Sequence, residues 1–187
     1  APVGRCAITT WPNLPSTEGT AIDTTWDEFF ATLAAAPRFR GDMQHPGWSA
    51  AICEPVVRSK QNVSGMSALV LDYDDGAHIE SAVEHWSEFY GLIHTTRKHK
   101  SDAHRFRVIL PLTRVVTPDE YEIVWRWADS IASSAGHTID PATKDASRFW
   151  FLPGVPKGGA YVVHRLSGHA IDPDPIIMCL KFKTSGS

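Results

Sequence analysis

The sequence lacks several features that would assign a chain to a class at once. No apolar run reaches the roughly 18 residues that span a bilayer, and the first residues, APVGRCAITT, lack the basic and apolar segments of a signal peptide. The three cysteines, Cys6, Cys53 and Cys179, are far apart and never form a CxxC pair, so neither a disulfide framework nor a zinc ribbon is indicated. We therefore expect no membrane segment and a location in the reducing cytoplasm.

The chain also lacks an overall positive charge. Its formal net charge of −3 argues against indiscriminate binding to polyanions. This sum hides an asymmetry, because residues 72–90 hold six acidic residues and no Lys or Arg, whereas residues 91–114 hold six Lys or Arg and one acidic residue. Such a basic segment is either a solvated face or one side of a binding site for phosphates.

Internal repeats and low-complexity linkers are absent, which argues against a solenoid or a string of domains. With 43% hydrophobic and 21% charged residues, a chain of 187 residues can bury a substantial core. We predict one domain over residues 1–180, with an N-terminal elaboration at about 1–66, a catalytic core at about 67–165 and a disordered tail at 181–187.

Two capping boxes predict the starts of helices, TWDE at residues 25–28 and TPDE at residues 117–120. The second of these helices is predicted to end near Gly136. A further helix is predicted over residues 79–89, where apolar side chains recur with helical spacing ahead of Gly91.

Short runs of apolar and β-branched residues predict strands at residues 50–53, 67–73, 92–96, 106–112, 148–152 and 160–165. From residue 67 onward the order is β-α-β-β-α-β, the split βαβ pattern of ferredoxin-like and RNA-recognition-type sheets. The predicted fold class is therefore α+β. It is an RNA-recognition-motif-like catalytic sheet with helices on one face, the other face free for chemistry, and an N-terminal α/β elaboration.

The segment LVLDYDDG at residues 69–76 places carboxylates directly after a buried strand. Because side chains alternate along a strand, Asp72 and Asp74 project from one face, whereas Asp75 suits a helix N-terminus. Two close carboxylates repel unless a cation lies between them, and their oxygens suit Mg²⁺ or Mn²⁺. The same signature caps turns and occurs in HAD-type phosphatases and sugar-nucleotide transferases, although the extra Asp and the absence of Thr argue against the phosphatase motif.

A third acidic residue is expected near the first two. Asp140, in IDPATKDASRFWFLPG, follows a short strand predicted after the second core helix, and the first and last strands of such a sheet can bring their ends together. Asp145 is the competing candidate. Arg148 and Lys157 lie downstream, where both could reach a triphosphate on a metal ion, although a turn at Asp140 and a surface role for Arg148 explain the same residues.

Two arginines lie in RFRVILPL, close to the acidic segment. Arg105 and Arg107 share one face of the predicted strand, and the alternate residues form the core. Two arginines on an exposed face beside carboxylates suit a phosphate chain. His99 and His104 in the preceding loop would add hydrogen-bond donors, and a surface-loop position is the alternative interpretation for each.

In their order along the chain, these segments resemble the motifs of the archaeo-eukaryotic primase superfamily, in particular the primase-polymerases of plasmids, phages and mobile elements. LVLDYDDG resembles the first motif, and IDPATKDASRFWFLPG resembles the third, with Asp140 as the third metal ligand and Arg148 as a triphosphate ligand. The usual second motif is Ser-x-His before a hydrophobic strand, where this sequence has Arg105 and Arg107. Either Arg107 or His99 would supply the contact of that missing histidine.

The resemblance implies a template-directed nucleotidyltransferase, a DNA primase and/or DNA polymerase, which replicates the DNA of a mobile element. It implies a two-metal site for Mg²⁺ or Mn²⁺ at Asp72, Asp74 and Asp140, and nucleotide contacts from Arg107, Arg148, His99 and Lys157. Contacts with nucleic acid are expected from Lys60, Arg97, Lys98 and Arg105. The expected partners are a single-stranded DNA template with its primer, NTPs or dNTPs, and a downstream helicase or accessory domain.

Two other classes remain open. A metal-dependent nuclease or phosphohydrolase would use the same carboxylates on water in place of a 3′-hydroxyl, and it would never lengthen a primer. A catalytically inactive nucleic-acid-binding module on the same sheet would need no metal. Its binding would therefore survive Asp72→Ala and Asp74→Ala.

Overall fold

The computed structural model of the chain describes residues 4–35 and 44–184. In chain order the elements are β1 (Arg5–Trp11), β2 (Thr20–Thr25), α1 (Trp26–Ala34), β3 (Gly47–Ser49), β4 (Ala51–Cys53), β5 (Val63–Tyr73), α2 (Ile79–His85), β6 (Tyr90–Thr95), β7 (Phe106–Val116), α3 (Pro118–Ser134), β8 (Trp150–Phe151), β9 (Val163–Ser167) and α4 (Pro173–Thr184). Among these described elements, no helix is both long enough and apolar enough to cross a bilayer.

The strands form two antiparallel sheets. The first sheet has the order β2-β1-β3-β8, and the second has the order β4-β5-β7-β6-β9. The long strands β5 and β7 pair at the centre of the second sheet. The predicted α+β class is confirmed.

Both capping boxes predicted from the sequence are present. At the start of α1, the Thr25 hydroxyl accepts from the Glu28 amide at 3.2 Å, and the Glu28 carboxylate accepts from the Thr25 amide at 3.1 Å. The same reciprocal bonds, of 3.2 and 3.0 Å, start α3 between Thr117 and Glu120. Gly136 follows α3 with a φ of 78°, a conformation that glycine adopts without strain.

The second sheet is covered on both faces. On one face Tyr73 stacks on Phe106 with ring centroids 4.7 Å apart, and Trp86, just after α2, donates to the Tyr73 hydroxyl at 2.9 Å. On the other face the guanidinium of Arg107 lies 5.8 Å from the ring of Trp150, which belongs to the first sheet. The core therefore has two layers, one between helices and sheet and one between the two sheets.

Two predictions about strand placement are wrong. The strand predicted at residues 148–152 does not join the core sheet, because β8 pairs with β3 in the first sheet. The last strand, β9, pairs with β6 and is separated from β5 by two strands. The face of the core sheet that was expected to be free is thus partly covered by the first sheet.

The helix predicted over residues 79–89 ends early. α2 stops at His85, and the fully buried Trp86 begins a tight turn into β6. Gly91 lies inside β6, where an added Cβ would meet the Ile109 carbonyl oxygen at 2.4 Å, so close strand approach explains this glycine. Asp75 does not cap α2, whose N-cap is His78.

The last helix reaches into the predicted C-terminal tail. α4 continues to Thr184, so it includes residues 181–184. Residues 185–187 of the predicted tail lie outside the described residues.

Candidate active site

Asp72 is buried at the end of β5 and is paired with an arginine. It lies opposite Arg107 in the register of β5 and β7, so both side chains point to the face covered by the first sheet. Arg107 Nε donates to Asp72 Oδ1 at 2.6 Å, and Arg107 Nη2 donates to Asp72 Oδ2 at 3.1 Å. Only 6% of Asp72 and 8% of Arg107 is exposed, so the expectation of an exposed Arg107 is wrong.

Asp74 lies two residues after Asp72 and forms an ion pair with a second arginine, Arg105. Arg105 Nη1 is 3.2 Å from Asp74 Oδ1, and both side chains are partly exposed. The alternation of side chains correctly places Asp72 with Asp74, and Arg105 with Arg107. The result is two neighbouring Asp–Arg pairs at one end of the sheet.

Asp140 reaches this end of the sheet through its backbone. Its amide donates to the Asp72 carbonyl at 2.9 Å. Its Oδ1 accepts from the Ala142 amide at 2.9 Å, and its Oδ2 lies 3.3 Å from Arg148 Nη2. Asp74 and Asp140 both line a groove of about 330 Å³, together with Asp75, Thr138, Ile139 and Pro141.

The competing candidate, Asp145, has a different role. Its carboxylate accepts from the amide and the hydroxyl of Ser147 at 2.9 and 2.8 Å, which stabilises a local turn. The structure therefore brings Asp140 to Asp72 and Asp74, whereas the carboxylate of Asp145 bonds within its own turn. The route differs from the prediction, since Asp140 follows α3 directly and does not depend on the last strand.

His94 was missed by the sequence analysis. It lies opposite Arg107 in the register of β6 and β7, so Asp72, Arg107 and His94 form one row across three strands. Only 1% of His94 is exposed, and burial, reinforced by the charge of Arg107, lowers its pKa to about 4. The hairpin predicted from the sequence could have identified His94, because the register of its two strands places His94 opposite Arg107.

Basic residues line a groove next to the aspartates. It has a volume of about 700 Å³, and its walls come from the loop between β6 and β7 and from the loop before β9. Four residues predicted to contact nucleotide or nucleic acid line it: Arg97, Lys98, His99 and Lys157. Nδ1 of His99 accepts from the amide of Arg105 at 3.2 Å, which ties this groove to the Asp74–Arg105 pair.

A second cluster of ligand-type residues lies at the start of α2. His78, Glu80 and His104 each place one ligand atom within 4.8 Å of the others. Nδ1 of His104 accepts from the Ile79 amide at 3.0 Å, which leaves the proton of a neutral ring on Nε2. In this tautomer Nε2 of His104 has no lone pair for a metal ion, so the cluster does not match a metal site in its present form.

Lys60 lies apart from the groups described above. It begins the 3₁₀ turn Lys60–Asn62, which precedes β5. The strand runs from Val63 toward Asp72, a distance of about 30 Å at the usual rise per residue. The structure therefore does not bring Lys60 to the aspartates.

The three aspartates fit a hard divalent cation in their chemistry. An ionised carboxylate offers about four lone-pair sites, and Arg107 uses two of those on Asp72. Asp74 has one contact with Arg105, and Asp140 has one each with Ala142 and Arg148. Oxygen lone pairs therefore remain on all three, and an all-oxygen donor set suits Mg²⁺ or Mn²⁺.

Comparisons with known proteins found a matching family profile and similar solved structures. Residues 47–182 match the family profile described as the VapE N-terminal domain. The primase-polymerase (PrimPol) AEP domain of cyanophage S-2L is similar in structure, with a TM-score of 0.53 and 12% identity over 92% of this chain and 88% of that chain. The polymerase domain of Mycobacterium tuberculosis Ligase D, in complex with DNA, has a TM-score of 0.42 and 12% identity over 97% of this chain and 82% of that chain. A search of curated protein sequences found no significant match.

Proposed function

The chain belongs to the VapE N-terminal domain family and has an archaeo-eukaryotic primase-type domain, and from this we propose that it joins nucleotides on a DNA template as a primase or polymerase. One observation carries the proposal. The hydrogen bond from the Asp140 amide to the Asp72 carbonyl brings a third acidic residue to the end of the strand that carries Asp72 and Asp74. Three carboxylates at one end of a sheet, next to a basic groove, are an arrangement suited to phosphoryl transfer.

Asp72, Asp74 and Asp140 would hold the divalent ions, Mg²⁺ or Mn²⁺. When bound, two such ions neutralise phosphate charge and lower the pKa of the attacking 3′-hydroxyl. Asp72 is oriented for this task by Arg107, whose two hydrogen bonds fix the plane of the carboxylate. Asp74 and Asp140 face the open groove and would meet the ion from the solvent side.

The arginines and lysines of the site have separable roles. The Arg148 guanidinium lies 3.3 Å from Asp140 and its side chain is partly exposed, so it would be able to turn toward the triphosphate of an incoming NTP or dNTP. Lys157 and His99 line the basic groove and would add phosphate contacts. Arg97, Lys98 and Arg105 would hold the backbones of the single-stranded template and the primer.

The cyanophage neighbour supports a role in replicating a mobile element. That neighbour is a primase-polymerase domain, and the structural similarity covers most of this chain. A helicase or accessory domain that acts together with this domain belongs to the same proposal.

Primer extension tests the proposal directly. The protein is incubated with a single-stranded template, NTPs or dNTPs, and Mg²⁺ or Mn²⁺, with and without a primer. We expect template-dependent product, and we expect Asp72→Asn and Asp74→Asn each to lower the rate by at least about a hundredfold, because loss of a residue that only hydrogen-bonds to a metal ligand already costs about 10–100-fold. Asp119→Asn, which removes the same charge at the start of α3, is the matched control and should retain the wild-type rate.

The products separate the alternatives. A nuclease or phosphohydrolase would shorten the oligonucleotides or release phosphate and would never lengthen them. An inactive binding module would bind single-stranded DNA equally well with Asp72→Asn and would make no product. Wild-type protein that makes no product under any combination of nucleotide and metal would overturn the proposal.

A further inference from the structure

One buried nitrogen beside the acidic cluster has no hydrogen-bond partner. It is Nε2 of His94, which has no partner among the described residues, in a side chain that is 99% buried. A buried polar atom that stays unpaired costs about 1–3 kcal/mol. The proposed roles of the aspartates and arginines make no use of this atom.

The other ring nitrogen fixes what Nε2 can do. Nδ1 of His94 lies 3.0 Å from the Thr95 carbonyl oxygen, which can only accept, so Nδ1 carries the proton. In the neutral ring Nε2 is then a hydrogen-bond acceptor. The lowered pKa of His94 supports the neutral form. An acceptor pairs with a donor such as a hydroxyl, and it does not pair with a phosphate oxygen.

His94 lines a small cavity that suits such a group. Its volume is about 50 Å³, and its lining includes His94, Thr96, Arg97 and Arg107, with residues 151–154 on the opposite side. A cavity needs about 10–15 Å³ of such space to hold a water molecule, so this one has room for a group such as a hydroxyl.

The cavity also lies at a suitable distance from the acidic cluster. Asp72, Arg107 and His94 occupy one row of three adjacent strands, and each strand step is about 4.8 Å. Asp72 and His94 are therefore about 10 Å apart, within the length of one nucleotide. Arg107 forms part of the cavity wall and also holds Asp72, so it connects the two places.

We propose that His94 Nε2 accepts a hydrogen bond from a sugar hydroxyl of the incoming nucleotide and thereby makes the site selective for nucleotides that carry that hydroxyl. This inference rests on the proposed function, since it needs a triphosphate held near Asp72, Asp74 and Asp140. Among the sugar and phosphate groups of a nucleotide only the hydroxyls donate hydrogen bonds, and the choice between the 2′ and 3′ positions is decided by experiment.

Nucleotide binding without catalysis provides the test. The dissociation constants of ATP, 2′-deoxy-ATP, 3′-deoxy-ATP and 2′,3′-dideoxy-ATP are measured with Mn²⁺ and no template. Wild-type protein should bind the nucleotides with the selected hydroxyl about tenfold more tightly than those without it. His94→Leu should abolish this ratio, and His94→Gln, whose amide oxygen replaces the acceptor, should retain most of it. His164→Leu on β9 is the matched control and should keep the wild-type ratio.

A second measurement covers the case in which His94→Leu does not fold. The ¹⁵N chemical shift of His94 Nε2 in wild-type protein should move on addition of ATP and stay in place with the nucleotide that lacks the selected hydroxyl. Equal binding of all four nucleotides by wild-type protein would overturn the inference, as would an unchanged ratio in His94→Leu. Hydroxyl-selective binding without primer extension would support the role of His94 and reject the polymerase function. Primer extension together with unchanged selectivity in His94→Leu would support the polymerase function and reject the role of His94.

Discussion

Two Asp–Arg pairs at one end of the core sheet use the same chemistry in different surroundings. Asp72 and Arg107 are buried and joined by two hydrogen bonds, whereas Asp74 and Arg105 are partly exposed and joined by one contact of 3.2 Å. A buried charge requires its partner, because neither water nor salt can replace it. An exposed charge is solvated with or without a partner. The comparison indicates that folding fixes the Asp72 side of the site and leaves the Asp74 side able to respond to a ligand.

Removal of one arginine at a time should give the largest difference between the two pairs. Arg107→Leu leaves Asp72 buried without a counter-ion, and we expect it to lower the free energy of unfolding by about 3–5 kcal/mol. Arg105→Leu should lower it by less than about 1 kcal/mol, since Asp74 remains in contact with water. Urea denaturation at neutral pH measures both. Similar losses in the two variants would show that burial does not distinguish the pairs.

Acid should weaken the row of buried residues that contains His94. The pKa of His94 is about 4 in the folded protein and about 6.5 in the unfolded chain, so the unfolded state takes up a proton first as the pH falls. The contribution of neutral His94 to the free energy of unfolding is therefore complete above pH 6.5. It is lost progressively between pH 6.5 and pH 4, by about 3 kcal/mol in total.

His94→Gln isolates this contribution from those of other groups that face it or titrate nearby. Arg107 and Asp72 surround His94, and His85 and His137 also have lowered pKa values because they are partly buried. Unfolding free energies of wild-type protein and His94→Gln are compared from pH 7.5 to pH 4. As the pH falls, the free energy of unfolding of wild-type protein should fall relative to that of His94→Gln. A difference that does not change with pH would contradict the lowered pKa of His94.

The parts of this structure that were predictable from the sequence depend on local interactions. The capping boxes at Thr25 and Thr117 are formed within four residues of chain, and both appear as predicted. The pairing of Asp72 with Asp74, and of Arg105 with Arg107, follows from the alternation of a strand. The approach of Asp140 was correctly anticipated, although through a different connection.

The parts that could not be predicted depend on contacts between distant segments. Alternation shows that Arg107 and His94 share a face, yet it does not show what covers that face. The cover comes from β8, which pairs with β3 about a hundred residues earlier in the chain. For that reason Arg107 was expected to be exposed and His94 was not considered, whereas in the folded protein both are buried beneath the first sheet.

Stabilisation by a bound metal ion should distinguish the two members of the exposed pair, Asp74 and Arg105. Mn²⁺ at about a hundred times its dissociation constant should raise the free energy of unfolding by about 2.7 kcal/mol. Asp74→Asn removes a proposed ligand and should lose most of this gain at the same Mn²⁺ concentration. Arg105→Leu breaks the same ion pair without removing a ligand and should keep the gain or increase it. Thermal unfolding with and without Mn²⁺ measures the shift, and equal losses in both variants would assign it to the ion pair instead of the ion.

The smallest expected effect concerns how far the nucleic acid extends from the exposed pair. Lys98 is exposed in the basic groove beside Arg105, whereas Lys60 lies at the opposite end of β5. One lost phosphate contact reduces the slope of log affinity against log salt by about 0.7 for a single strand, and we expect Lys98→Ala to do so. Lys60→Ala is the matched control for a lysine outside the groove and should leave the slope unchanged. Fluorescence anisotropy of a labelled single strand across a salt series measures both slopes. A reduced slope with Lys60→Ala would mean that the bound strand extends beyond the basic groove to the end of β5 that carries Lys60.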